Sequence, residues 1–189
     1  ESNLLKHVLG IYYLEKQDFL KAIQTLKEIQ NEFYNNSEYY YHLAIAYCTI
    51  QSPVLAYYYA EKSHQFFQDM NNYLRVIDAE MIMIIQVTEN SDSDETISRF
   101  KSLIKSCELF NAPDRKAKLF HNLAYEYYRS KNYEQAIFYY NQSMSLKNSE
   151  SPYYLLTLEG YIRSSFEGEL IPNDELIRLA EDGVIIAIR

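Results

Sequence analysis

The chain has no tryptophan, four glycines, four prolines and two cysteines in 189 residues. So few backbone breakers exclude a fold of many short strands and tight turns, and fit long helices joined by short connections. Two widely spaced thiols, Cys48 and Cys107, are no disulfide framework and read as free cysteines inside helical patterns. Basic residues are also short, 18 Lys and Arg against 26 Asp and Glu, a net charge of −8. An acidic chain is a poor candidate for gripping a phosphate backbone by itself, because that binding needs cations to neutralise phosphates. Long apolar runs are missing too. The longest, Met81–Ile85 and Val184–Ile188, fall far below the ~20 residues of a membrane span. No signal peptide opens the chain, so the expected compartment is the cytoplasm.

Sites with built-in chemistry are equally scarce. The four histidines, His7, His42, His64 and His121, are scattered, with no His-Glu-x-x-His and no Cys-x-x-Cys. Glu61 and His64 have the Glu-x-x-His spacing of di-iron bundles, but only one copy exists where two are needed. Ser102 and Lys105 match Ser-x-x-Lys without its companion motifs. Gly10, Gly160, Gly168 and Gly183 are too far apart to make a phosphate loop. No metal, no cofactor and no catalysis are expected.

What the chain has is tyrosine and recurrence. Hydrophobic residues are 48% of the chain, too many for disorder, and 20 are Tyr, which covers apolar surface while keeping a polar tip. A block recurs about every forty residues. Leu9-Gly10-Ile11-Tyr12-Tyr13 is followed nine residues later by Ala22, Leu43-Ala44-Ile45-Ala46-Tyr47 by Ala56, and Leu123-Ala124-Tyr125-Glu126-Tyr127 by Ala136. A small residue on each of two successive helices lets their backbones approach, while the large residues fill the grooves beside them. One such hairpin cannot bury its apolar face alone, so stacking is obligatory.

The pattern predicts one domain over 1–189, with repeats at roughly 3–34, 37–70, 73–111, 114–148 and 152–189. The first hairpin takes Leu4–Glu15 and Phe19–Phe33, with Asp18 as N-cap of the second helix. The second takes Glu38–Ile50 and Val54–Asp69, with Asn35-Asn36-Ser37 before it and Pro53 at a helix start. The third takes Tyr73–Val87 and Glu95–Phe110 around the polar turn Asn90–Asp94. Pro152 opens the last pair, Tyr153–Phe166 and Asp174–Ile188. Both ends read as cut, since Glu1 leads straight into a repeat and Val184–Ile188 is apolar where an array should end in a polar face. A piece of a longer protein is expected, with missing repeats or a second subunit over that tail.

The fourth repeat carries a specific resemblance. Ala117, Phe120, Leu123, Ala124, Tyr127, Tyr133, Ala136 and Tyr140 fall at positions 1, 4, 7, 8, 11, 17, 20 and 24 of the tetratricopeptide consensus; Ser143 and Asn148 depart from it. The resemblance implies an all-α fold, a right-handed superhelix of about 4–5 tetratricopeptide-like hairpins with the first helix of each on the concave wall. The groove positions of this repeat are then Lys118, His121, Asn122, Tyr125, Tyr128 and Arg129, all able to hydrogen-bond. Asn can satisfy both groups of a peptide bond, and Lys or Arg can hold a carboxylate. A merely solvated helix face would look similar. Equivalent positions are Glu38, Tyr41, His42, Ile45, Cys48 and Thr49 in the second repeat, and Asp78, Met81, Ile82, Ile85, Thr88 and Glu89 in the third. Ile82 and Ile85 fit packing against a neighbouring repeat better than contact with a ligand.

The segments Tyr39–Phe67 and Ala117–Leu146, with their aromatic-rich first helices and long second helices, resemble the repeats of the Rap, NprR and PlcR proteins, the RNPP group of Gram-positive peptide-pheromone receptors. That resemblance implies a non-enzymatic, cytoplasmic quorum-sensing regulator whose groove binds a short signalling peptide and switches an attached effector. It also implies a homodimer, and DNA contact only through a domain absent from this chain. Inner-helix asparagines hold the peptide backbone in such receptors, which points to Asn122, with Lys118, His121, Tyr125, Tyr128, Arg129, His42 and Tyr41 around it. His42 and Ile82 stand where further asparagines would be expected. The alternative is a general scaffold of co-chaperone type, which docks a protein tail through a carboxylate clamp. Lys6 and Lys118 are isolated for that role.

Overall fold

The structure is a computed structural model that describes residues 2–29, 37–88, 92–146 and 152–188, with backbone alone at 37, 152 and 184–188. Every regular element among them is a helix: α1 (Asn3–Glu15), α2 (Phe19–Lys27), α3 (Ser37–Thr49), α4 (Pro53–Asp69), α5 (Tyr73–Val87), α6 (Ser93–Leu109), α7 (Pro113–Arg129), α8 (Tyr133–Ser145), α9 (Pro152–Glu167) and α10 (Asn173–Ile188). The chain forms two compact units, Glu1–Asn90 and Ser91–Arg189. The third expected repeat therefore contributes α5 to the first unit and α6 to the second.

The small residues of the recurring block are where the helices meet. Gly10 and Ala22, Ala44 and Ala56, and Ala124 and Ala136 are all buried. In the first unit α1 packs on α2, α3 on α4, and α4 on α5. Leu26, Leu43, Ala46, Tyr47 and Ala56 form one cluster there, and Ala44, Ala60 and Ile82 another. Leu26 is seated against Gly10, where an added Cβ would lie 2.5 Å from its Cγ, so even alanine would not fit without a shift. In the second unit α7 packs on α6 and α8, and α9 on α8 and α10, around Phe100, Leu119, Leu123 and Tyr140. Ser143, which replaces the consensus alanine, donates its hydroxyl to the Ala117 carbonyl at 2.7 Å. That satisfies a buried hydroxyl at a seam built for a methyl group.

The turns solve the shortage of glycine in one repeated way. Gln17, Gln51, Asn71, Asn111, Lys131 and Glu169 all adopt positive φ, between 49° and 59°. Each follows a helix C-cap, and the next residue's N–H returns to a carbonyl of the last helical turn. Asp18 bonds Tyr13 O, Ser52 bonds Tyr47 O, Asn72 bonds Phe67 O and Asn132 bonds Tyr127 O, each at 2.9 Å. This is the Schellman geometry that glycine normally serves. The residue making that bond then starts the next helix: Asp18, Asn72 and Asn132 accept from the N–H three residues on.

Two expected boundaries move. The helix predicted over Phe19–Phe33 ends at Lys27, because the Ile29 N–H closes a tight turn on Leu26 O and Ile29 is buried in the core. The polar turn predicted over Asn90–Asp94 is described only from Asp92. Asp92 caps α6 through the Asp94 N–H, and Ser93 and Asp94 already belong to the helix. The two carboxylates suit its positive N-terminal end. Asn35, Asn36, Asn148 and Glu89, and the side chains of Val184–Ile188, lie outside what is described.

Candidate functional site on the face of α7

A 17-residue helix, α7, carries all six fourth-repeat candidates, because spacings of three and four return them to one side. Three are engaged by other side chains, two of them on α9 and one on α7 itself. His121 Nδ1 lies 3.1 Å from Thr157 Oγ1 of α9. Thr157 gives its only hydroxyl proton to Tyr153 O at 2.8 Å, so His121 donates from Nδ1. Tyr128 donates to Glu167 at 2.6 Å, and Tyr133 donates to the other oxygen of the same carboxylate at 3.2 Å. The bond to Glu167 raises the Tyr128 hydroxyl's pKa. Arg129 Nη1 is 3.0 Å from Glu126 Oε2, and Glu126 is only 1% exposed.

The other three face outward. Lys118 is exposed and makes no ion pair among the described residues. Asn122 donates one amide proton to Lys118 O at 3.0 Å, which fixes the amide on the helix surface. Tyr125 is half exposed and stacks on Tyr128 with centroids 6.3 Å apart.

Beside this face is a cavity of about 100 Å³. His121, Tyr125 and Tyr128 line it from α7 and Tyr140 from α8, while Leu156 and Gly160 line it from α9. Glu159 and Arg163, a half-exposed ion pair one turn apart on α9, complete the lining. A Cβ on Gly160 would sit 2.4 Å from Tyr140 Cζ and 2.7 Å from its hydroxyl oxygen, so this glycine leaves room for the ring. Burial raises the Tyr140 hydroxyl's pKa, which keeps it a neutral donor. The α9 residues did not emerge from the sequence because the last repeat is degenerate. The available signal was register: Gly160 follows Ala124 by 36 residues, the separation of His121 and Thr157.

The remaining candidates, Tyr41 and His42, lie in the first unit. His42 Nδ1 is 3.0 Å from His7 Nε2 of α1, a contact between neighbouring repeats. Burial, then the adjoining His7 and Arg75, bring the His42 pKa down to about 4. Burial lowers that of His7 as well. The Tyr41 ring lies under the Arg75 guanidinium at 4.8 Å, and Arg75 also pairs with Glu38 and Asp78. Ile82 is buried against Ala44 and Ala60, as expected of packing. Ile85 instead lines a wider cleft of about 720 Å³ with Cys48, Pro53, Val54 and Tyr57. Gln86 donates to Cys48 Sγ at 3.2 Å, and burial raises the pKa of that thiol. Among the described residues, no His, Cys, Asp and Glu cluster is able to hold a metal, and no helix is long and apolar enough to cross a membrane.

Comparison with known proteins fits this picture. A family model described as "Tetratricopeptide repeat" matches residues 117–149, the repeat that carries α7. Regulatory protein RapD of Bacillus subtilis (strain 168) is 26% identical over 133 residues, 70% of this chain and 37% of that protein. A Rap protein complexed with Competence and Sporulation Factor superposes with a TM-score of 0.87 at 16% identity, over 98% of this chain and 54% of that one. NprR in complex with its cognate peptide NprX gives 0.87 at 20% identity, over 99% and 56%. The chain thus spans only about a third to a half of the length of these relatives. The chain therefore carries a tetratricopeptide repeat and has the helical-repeat fold of the Rap and NprR proteins, and it resembles the RNPP (Rap/NprR/PlcR) family.

Proposed function

We propose that this chain is the peptide-binding part of a cytoplasmic quorum-sensing transcriptional regulator. A short signalling peptide lies along the outward face of α7 and switches an attached DNA-binding domain, in a protein that acts as a homodimer. The observation that carries the reading is the row Lys118, Asn122 and Tyr125 on a fold shared with two peptide complexes. Asn122 commits one amide proton to its own helix and keeps a second proton and its oxygen for a peptide bond. Lys118 supplies the cation for a peptide carboxylate. Switching requires that the peptide bind one state of the regulator more tightly than the other. The carboxylate clamp of a co-chaperone scaffold is disfavoured, since Lys6 is already committed to Glu28, at 3.6 Å from the carboxylate and 3.1 Å from the carbonyl.

The test starts from a pool of synthetic random hexapeptides, selected on the purified chain and identified by mass spectrometry. Calorimetry then compares the retained peptides on wild type and on Asn122→Ala. Loss of hydrogen bonds that the ligand leaves unreplaced should weaken binding by about tenfold or more. Unchanged affinity removes Asn122 from the site, and binding indifferent to the DNA-competent state of the intact regulator removes the switch.

A further inference from the structure

The cavity beside α7 has a size, a charge balance and a floor that together describe one occupant. We propose that it is a specificity pocket for a single branched aliphatic side chain, Val, Leu or Ile, of the bound peptide, an inference that rests on the peptide-binding reading above.

The cavity holds about 100 Å³. An apolar cavity of ~150 Å³ accepts benzene and a water takes ~30 Å³, so this one fits a branched aliphatic group and is too small for an indole. Its charges cancel. Glu159 and Arg163 neutralise one another at the half-exposed edge, and His121 is committed to Thr157. A charged side chain entering here would lose its water and gain no net counter-charge, whereas a neutral apolar one loses nothing.

The floor is aromatic: the Tyr140 ring is 2% exposed and lines the cavity where Gly160 makes room for it. The cavity is also in the right position. His121, Tyr125 and Tyr128 belong both to it and to the face that carries Asn122. A peptide held by Asn122 therefore has a side-chain slot beside it, and the aromatic walls give that slot a defined width.

The experiment is hexapeptide selection on four full-chain proteins: wild type, Leu156→Trp, Tyr125→Ala and Asn122→Ala. Leu156 and Tyr125 are each 49% exposed, so both substitutions leave the core intact, and thermal melts verify it. Wild type should enrich Val, Leu or Ile at one fixed position. Leu156→Trp fills the cavity and should weaken those peptides about tenfold while shifting that position toward Gly or Ala. Tyr125→Ala widens the cavity and should shift it toward Phe. Asn122→Ala should weaken all retained peptides without changing the preferred residue. If wild type retains peptides but enriches no aliphatic position, or enriches Lys or Arg there, the pocket inference is overturned while peptide binding stands. The pocket is likewise overturned if both cavity variants keep the wild-type preference. If wild type retains no peptide, the peptide reading fails and takes the pocket with it.

Discussion

Arg129 is a groove candidate by position, but the structure gives it a second task that binding assays would confuse with the first. Its partner Glu126 is 1% exposed and has two donors, Ser93 Oγ at 2.7 Å on Oε1 and Arg129 Nη1 at 3.0 Å on Oε2. Ser93 is the first residue of α6, so the carboxylate joins two helices of the second unit. Arg129→Ala leaves a buried charge with one neutral donor. Breaking a buried pair from one side costs ~3–5 kcal/mol. The Arg129 side chain is 31% exposed, so water reaches the site and the expected loss falls below that range, to ~2–3 kcal/mol.

Glu126→Gln has the opposite logic. It keeps an acceptor for Ser93 and removes the buried charge, and should cost no more than ~1 kcal/mol. The double variant should then be no worse than Glu126→Gln alone, a coupling of ~2 kcal/mol. Urea unfolding followed by circular dichroism and by tyrosine emission reads all four proteins, the chain having no tryptophan. If the two compact units melt separately, only the transition of residues 91–189 should move. Arg129→Ala within ~0.5 kcal/mol of wild type, or Glu126→Gln as harmful as Arg129→Ala, would refute the uncompensated-charge reasoning. With Glu126→Gln benign and Arg129→Ala harmful, peptide affinities for Arg129 should be compared on the Glu126→Gln background.

Two further outcomes follow from the same structure. His42 is held at a pKa of about 4, below the ordinary 6.5, so the folded state prefers it neutral. The stability this reflects is present above pH 6.5 and lost as pH falls toward 4, by at most ~3 kcal/mol at 1.36 kcal/mol per pH unit. Urea midpoints across that range should fall less steeply in His42→Gln, and an unchanged slope would show that the burial of His42 is not the cause. Lys131 sits at φ 59° with its turn hydrogen bonds made by backbone alone, so Lys131→Gly should raise stability by ~0.5–1 kcal/mol. A melt with no gain would mean that the left-handed turn carries no strain to release.

The fold is legible because close packing leaves a mark at single positions. Gly10 with Ala22, Ala44 with Ala56, and Ala124 with Ala136 are small for one reason, and that reason is visible in the spacing alone. The turns are less legible. Glycine is the usual sign of a helix that ends in a left-handed residue, and here Gln, Asn, Lys and Glu stand in its place. The end of α2 is hidden because Ile29 fits a helical stripe as well as it fits the buried position beyond the helix end. Spacing records which way a side chain faces, and Ile29 is held by a turn that spacing does not encode.

The candidate site divides along the same line. That Lys118, His121, Asn122, Tyr125, Tyr128 and Arg129 share a face is a property of α7 and needs no partner to be known. What each has left to offer a ligand depends on residues 36 and 39 positions away, Thr157 and Glu167, in the repeat whose register is weakest in the sequence. A polar residue on such a face is drawn two ways, since stacking asks it to satisfy the next hairpin and binding asks it to stay available. His121, Tyr128 and Arg129 have been claimed by stacking or by a buried carboxylate, so a ligand must break an existing bond to use them. Asn122 and Lys118 are under no such claim, and Tyr125 gives up only a stacking contact. Binding energy on α7 should therefore concentrate in its middle two turns, and the α9 wall, rather than the remaining α7 positions, should decide which peptide is chosen.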